Sequence, residues 1–358
     1  MQQHDVREFL SILRGLNILN VRCVEMAKET SKWQHKWKRV FIVLLFVFFT
    51  VLSLFVGAYE GVSIGTLLEG NERIRLIFWH SRVTRTMAII LSAAGLSVAG
   101  LVMQSISRNK FMSPSTAGTT DAAALGILIS FVFLGSQTGF VQTVFAFIFA
   151  LIGTLIFTLV ISRLKIRETV YIPLLGMMYG GVISALSSVI AFQFGAIQFA
   201  NMINLGSFAR LGGFWGVYVV IVPLIIAVIF ATKFSIIGLG EEFAKNLGVN
   251  YNRVVMTGLV IVSLISASTF VTVGPLPFVG LIVPNMATSF YGDNLKKSIY
   301  DLMFFGAVFV LICDIISRVI IFPTEMNVSL TISLVGGAIF MVYLVKGVFG
   351  NGTSSASS

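Results

Sequence analysis

Asp314 and Arg318 stand four residues apart inside an apolar run, so on a helix they share one face and can pair. An ionisable side chain at membrane depth is a functional candidate because its desolvation is costly. A pair near a helix end can also reach water or pack internally, and that structural role is favoured here. A proton relay would want more carboxylates along the path. Asp121, which opens another apolar run, is suited to capping its own helix. The chain has no GxxxxGKS or GxxxxGKT phosphate loop, so it does not bind and hydrolyse ATP through that motif. His4, His35 and His80 form no cluster with carboxylates, and Cys23 and Cys313 have no metal-site spacing. No catalytic residue, metal ligand set or bound cofactor is therefore assigned, and a membrane enzyme is disfavoured.

A second group of residues points to docking. Gly240 to Gly248 reads GEEFAKNLG, a polar stretch set between two strongly apolar runs. It is too short to be a domain, and Glu241, Glu242, Phe243, Ala244, Lys245, Leu247 and Gly248 have the character of a surface that meets a partner. A helix-length apolar run follows, then Gly274-Pro275-Leu276-Pro277, then a short apolar segment containing Pro284. Proline removes an amide donor and fixes φ, so Pro275, Pro277 and Pro284 are expected to interrupt helices. Irregular backbone at membrane depth is tolerated where protein buries it or where it lines a cavity, which suggests a transport path. Gln104, Asn109 and Pro114 follow a run rich in small residues between Ser92 and Gly100. Small residues let helices approach closely. The pairs Gly176 with Gly180 and Gly212 with Gly216 have the same spacing. Close packing is the favoured role for all of these, and a permeation path is compatible with it.

The elements that must position these residues follow from composition. Of 358 residues, 56% are hydrophobic and 11% charged, with a mean hydropathy of +0.94. Soluble domains are about 25% charged, so the chain reads as an all-α polytopic membrane protein. Apolar runs fall at about 40–59, 84–106, 121–135, 138–161, 171–194, 215–232, 254–273, 278–290, 299–320 and 328–348. They predict about ten transmembrane helices, although 121–135 and 278–290 are short for a span. Residues 1–39 form a polar, basic N-terminal segment without a cleavable signal pattern, 40–348 one membrane domain, and 349–358 a small polar tail expected to be disordered. The net charge of +10 does not indicate nucleic acid, because the basic residues gather in the N-terminal segment and in alternate loops. Only Arg73, Arg75, Arg82, Arg85, Arg210 and Arg318 fall on the other side. That bias predicts a cell-membrane protein with both termini in the cytoplasm.

Taken together, several stretches resemble the permease subunits of ABC importers for ferric siderophores, haem and cobalamin. They are Arg82-Val83-Thr84-Arg85, Gly95 to Gln104, Arg108-Asn109 with Pro114, Gly240 to Gly248, Val273 to Pro284, and Asp314 to Arg318, with Glu325 and Gly336-Gly337. The resemblance, over residues 40–348, implies a type II ABC importer permease. It further implies a second permease subunit of the same or a homologous kind, two cytoplasmic ATPases that carry ATP and Mg, and an extracytoplasmic binding protein. Glu241 to Gly248 would then seat on an ATPase, and Arg82, Arg85 and Arg318 would meet acidic residues of the binding protein. Lys110 stands where that family usually has proline, Asn285 where it often has histidine, and Asn327-Val328-Ser329 where Pro-Ile-Gly is frequent. The stretch NKFMSPSTAGT is similar to the subgroup that imports catecholate-type ferric siderophores. A secondary transporter driven by an ion gradient would also use broken helices, and it is the alternative.

Overall fold

The computed structural model describes residues 37–56, 72–135, 139–164, 171–208, 218–291, 295–321 and 324–352. By internal contacts the chain divides into Met1–Leu45 and Phe46–Ser358. The described part of the first unit, residues 37–45, is entirely helical. The interactions below belong to the second unit.

The described residues contain helices and no strand. In chain order they are α1 (Trp37–Phe55), α2 (Glu72–Ile77), a π-helical turn (Phe78–Val83), α3 (Thr84–Ser107), α4 (Thr119–Leu134), α5 (Gly139–Arg163) and α6 (Tyr171–Gln193). Then come α7 (Ile197–Ile203), α8 (Ile221–Ile237), α9 (Glu241–Asn246), α10 (Tyr251–Val273), α11 (Val279–Tyr291), α12 (Leu295–Val319) and α13 (Val328–Gly352). Six helical segments are long and apolar enough to cross a membrane, and α4, α8, α11 and the Val328–Val342 part of α13 are shorter apolar segments. Each of the ten expected apolar runs overlaps one of these helices. The run expected at 215–232 is displaced, because α8 continues to Ile237 through Lys233. The Lys233 ammonium lies 4.5 Å above the Phe230 ring, which helps a charge sit on this apolar helix. The last helix passes the expected end at 348 and runs to Gly352.

Helix α3 is the hub. Its small residues Ser92, Ala93, Ala94, Gly95, Ser97, Ala99 and Gly100 are all buried, and α8, α10, α11 and α12 pack on it. A Cβ on Gly100 would stand 1.8 Å from the carbonyl oxygen of Gly280, and one on Gly280 would stand 3.1 Å from both the Leu96 carbonyl and the Pro114 ring. The first turn of α11 and the loop before α4 therefore both lie beside the middle of α3. This explains the two short runs. At 16 and 13 residues, α4 and α11 measure roughly 24 and 20 Å at 1.5 Å per residue, short of a hydrocarbon core about 30 Å thick. Each is a shortened helix that starts near the middle of α3.

The prolines behave differently from one another. Gly274 ends α10 with φ +88°, and Pro275 and Pro277 lie outside any helix. Pro277 cannot donate to the Val273 carbonyl, and the Ser207 amide does so instead at 2.8 Å. Pro284 was expected to interrupt a helix, yet α11 runs straight through it. The ring removes only the amide that would bond to the Gly280 carbonyl, and that oxygen is the one turned toward Gly100. Asp121 does not cap its helix. α4 starts at Thr119 behind Gly118, which leaves Asp121 in the first turn, where a carboxylate favours the helix dipole. Gly176 and Gly180 do pack closely: added Cβ atoms would meet the Thr116 carbonyl at 1.9 Å and Asp121 Oδ2 at 2.6 Å. Gly212 and Gly216 lie outside the described residues.

The Gly100–Gly280 contact is backbone on backbone and has little room to relax. Gly100→Ala should lower the thermal unfolding temperature of the detergent-solubilised protein, by the equivalent of about 1–3 kcal/mol expected of overpacking. Gly337→Ala, where an added Cβ meets nothing within 4 Å, should leave it unchanged or slightly raised.

Candidate functional site

Helix α3 begins at one candidate site and ends at another. At its start, Arg85 projects into a buried ion cluster. Arg85 Nη2 donates to Asp314 Oδ1 at 2.8 Å, and Arg85 Nη1 donates to Glu325 Oε2 at 2.5 Å. Arg318, one turn beyond Asp314 on α12, donates through Nε to Asp314 Oδ2 at 2.8 Å, and its Nη2 bonds the same oxygen. Its remaining donors reach the C-terminal end of α1: Nη2 to Ser53 Oγ at 2.8 Å, and Nη1 to the Ser53 and Val56 carbonyls at 3.0 and 2.6 Å. Arg82 Nη1 also donates to the Val56 carbonyl. Asp314 is completely buried, and Arg82, Arg85 and Arg318 are 6%, 9% and 3% exposed. The cluster ties the end of α1 and the starts of α3 and α13 to the end of α12. Sequence periodicity identified the Asp314 and Arg318 positions as a possible pair, whereas Ser53 carried no signal beyond its position near the end of an apolar run.

At the other end of α3, Arg108 terminates the helix in a left-handed conformation at φ 49°. One of its guanidinium nitrogens, Nη1, lies 3.3 Å from where a Gly240 Cβ would be. Gly240 has φ +121° and opens α9, which comprises Glu241, Glu242, Phe243, Ala244, Lys245 and Asn246. Ala244 is buried and anchors the helix, and its carbonyl accepts from the Val249 amide at 2.9 Å. Leu239, Phe243 and Leu247 are 63%, 61% and 59% exposed. Phe243 and Leu247, four apart and joined by a backbone hydrogen bond, form an apolar stripe on one face of this polar element, and Leu239 is exposed just before it. Glu241 and Lys245 form an exposed pair at 2.8 Å, and hydrogen bonding to Glu241 holds the Lys245 ammonium above the usual lysine range. Gly248, at φ +72°, turns the chain into α10, whose cap is Asn250 accepting from the Arg253 amide at 3.1 Å.

Between the two sites lie the broken segments. Gln104 Nε2 donates to the Lys110 carbonyl at 2.9 Å, and Asn285 Nδ2 donates to that same oxygen at 2.8 Å and to the Leu281 carbonyl at 2.9 Å. Lys110 and Asn285, two of the positions where this sequence departs from the common pattern of the permeases it resembles, are thus in direct contact. Asn109 is buried, and its Oδ1 accepts from the Phe111 amide at 2.9 Å. Pro114 is buried beside Gly280. Phe278, at φ +64°, is a bulky residue in a conformation that L side chains rarely adopt. Beyond the break, a cavity of about 560 Å³ lies among α4, α5, α7 and the end of α10. Its walls include Gln142, Gln198, Thr272 and the stacked rings of Phe131 and Phe199, whose centroids are 3.9 Å apart, and no charged side chain. Sequence reading assigned nothing to α7, whose seven residues carry no distinctive motif. Among the described residues no group of histidine, cysteine and carboxylate side chains could hold a metal ion.

Breaking the buried cluster from one side leaves charges without partners, which in buried pairs costs about 3–5 kcal/mol. Asp314→Asn should therefore cause a large fall in thermal unfolding temperature. Breaking the exposed pair with Glu241→Gln should leave the unfolding temperature unchanged.

The chain matches the FecCD transport family over residues 44–346. It is 41% identical over 308 residues to the petrobactin import system permease protein YclN of Bacillus subtilis, covering 86% of this chain and 97% of that one. The ferric-anguibactin transport system permease protein FatD of Vibrio anguillarum is 37% identical, with 85% and 98% covered. Among solved structures, an inward-facing metal-chelate type ABC transporter superposes with a TM-score of 0.72 at 24% identity, covering 87% of this chain and 99% of that one, and so shares its fold. With a family match across nearly the whole membrane region and close relatives matched over almost their full length, the chain belongs to the FecCD transport family.

Proposed function

We propose that this chain is the membrane-spanning permease subunit of an ATP-driven importer that carries ferric siderophores into the cytoplasm. The observation that carries the reading is α9, a short exposed helix with an apolar stripe of Phe243 and Leu247 flanked by Glu241, Glu242 and Lys245 and preceded by exposed Leu239. In a chain without a phosphate loop, such a stripe is suited to a protein that hydrolyses ATP on its behalf. Two ATPase subunits would dock on this surface, one for each of two permease subunits, and ATP and Mg would be bound by the ATPases. Family membership and relatives named for petrobactin and anguibactin import support a siderophore as cargo. Catecholate-type chelates are the first to test, on the resemblance of the stretch NKFMSPSTAGT.

Both termini face the cytoplasm in this reading, as the distribution of lysine and arginine favours, and the ion cluster then lies at the outer end. Its arginines give an acidic patch on an extracytoplasmic binding protein a complementary group to meet. Direct contact with that protein requires Arg85 and Arg318 to exchange Asp314, Glu325 and the α1 carbonyls for the partner's carboxylates. Gln104, Asn109, Pro114, Pro275, Pro277 and Pro284 would shape or brace the path at the broken segments.

The docking surface is tested by two variants, the double change Glu241→Ala, Glu242→Ala and the single change Phe243→Asp. Each should reduce co-purification of the ATPase and cellular uptake of labelled ferric siderophore by at least tenfold, with an unchanged unfolding temperature. Full ATPase capture and uptake in both variants would remove α9 from the docking surface.

A further inference from the structure

The hydroxyls of Ser263, Ser266 and Thr269 are buried on α10 and meet no hydrogen-bond partner among the described residues. They recur every three residues and so lie along one side of the helix. Buried polar atoms in native proteins are nearly always paired, and apparent exceptions point to water or an ion. Ser266 and Thr269, each 1% exposed, line a cavity of about 20 Å³ together with Pro114, Thr120, Pro275 and Gly280. One water molecule needs at least about 10–15 Å³ of such space and two to four polar partners. The lining has no charged side chain, which suits a neutral guest and not an ion. Ser115 and Thr120 also line the cavity and bring two further hydroxyls to it.

We propose that this cavity is a built site for an ordered water molecule, held by Ser266 Oγ and Thr269 Oγ1 where the shortened helices α4 and α11 begin. The water accepts from the two α10 hydroxyls and donates to the hydroxyl oxygens of Ser115 and Thr120 across the cavity, so it completes hydrogen bonding that α10 leaves unmade. It also makes the joint a hydrated hinge. A water can exchange its partners within one cavity when the segments on either side shift, whereas a direct side-chain bond would have to break.

The site can be read without transport, by radiolytic hydroxyl-radical labelling of the full chain in lipid nanodiscs with mass-spectrometric readout. Radicals formed from bound water mark the side chains beside it. Leu276 and Pro114, which line the cavity, should be modified several-fold faster than Leu259 and Leu302, which are each 1% exposed and lie outside it. The double change Ser266→Ala, Thr269→Val keeps the shape of the site and removes both hydroxyls, and it should bring Leu276 down to the control rate. Labelling of Leu276 at the control rate in the unaltered protein, or undiminished labelling in the folded double variant, would overturn the proposal. If the double variant does not fold, the comparison within the unaltered protein decides alone. Because no partner or substrate is involved, the result does not depend on the importer reading.

Discussion

A backbone amide or carbonyl at membrane depth has no bulk water to bond, and this chain interrupts two helical paths there. What makes the interruptions tolerable is a set of close, specific substitutions for the lost helical bonds. The Ser207 amide bonds the Val273 carbonyl that Pro277 cannot reach, and the Lys110 carbonyl takes two donors, from Gln104 and Asn285. The Gly280 carbonyl, freed by Pro284, faces a glycine across the helix contact. These arrangements all depend on α3 having almost no side-chain bulk on the face that receives the breaks. The run of serine, alanine and glycine between Ser92 and Gly100 is therefore part of the same device as the prolines, although it lies more than 170 residues away in sequence.

Around that joint, two groups of charged residues stand at the two ends of α3. At one end, carboxylates and guanidiniums pair inside the protein and pin the end of α1 and the starts of α3 and α13 to α12. At the other end, α9 stands on a single buried alanine with its apolar stripe outward. A buried cluster fixes relative positions, while an exposed short helix is free to be gripped. Between them, α9 packs on α8 and α10, and both of those helices pack directly on α3.

Much of this was legible in the residues. Helix number followed from apolar length, and the exposed element α9 followed from a polar stretch interrupting apolar ones. The Asp314–Arg318 geometry followed from a spacing of four. Pro284 was misleading because a single proline can be absorbed where its orphaned carbonyl packs against a glycine, a tertiary fact that no local rule contains. Asp121 was misleading because helix α4 begins two residues earlier than its apolar run. The part played by Ser53 and Ser207 could not be read at all. Each acts on residues more than 60 positions away in sequence, through a hydroxyl or a backbone amide of a common residue type. The burial of Arg82, Arg85 and Arg318 likewise depends on where α1 ends, which composition does not specify.

The central claim is that this chain moves its cargo only when an ATPase drives it. The direct measurement is uptake of labelled ferric siderophore into proteoliposomes containing the complete permease and binding protein, with and without ATPase subunits and internal ATP, and with no ion gradient imposed. Uptake that requires both the ATPase and hydrolysable ATP is the result expected. Uptake that proceeds without the ATPase and follows an imposed proton or sodium gradient would contradict the claim and identify a gradient-driven transporter.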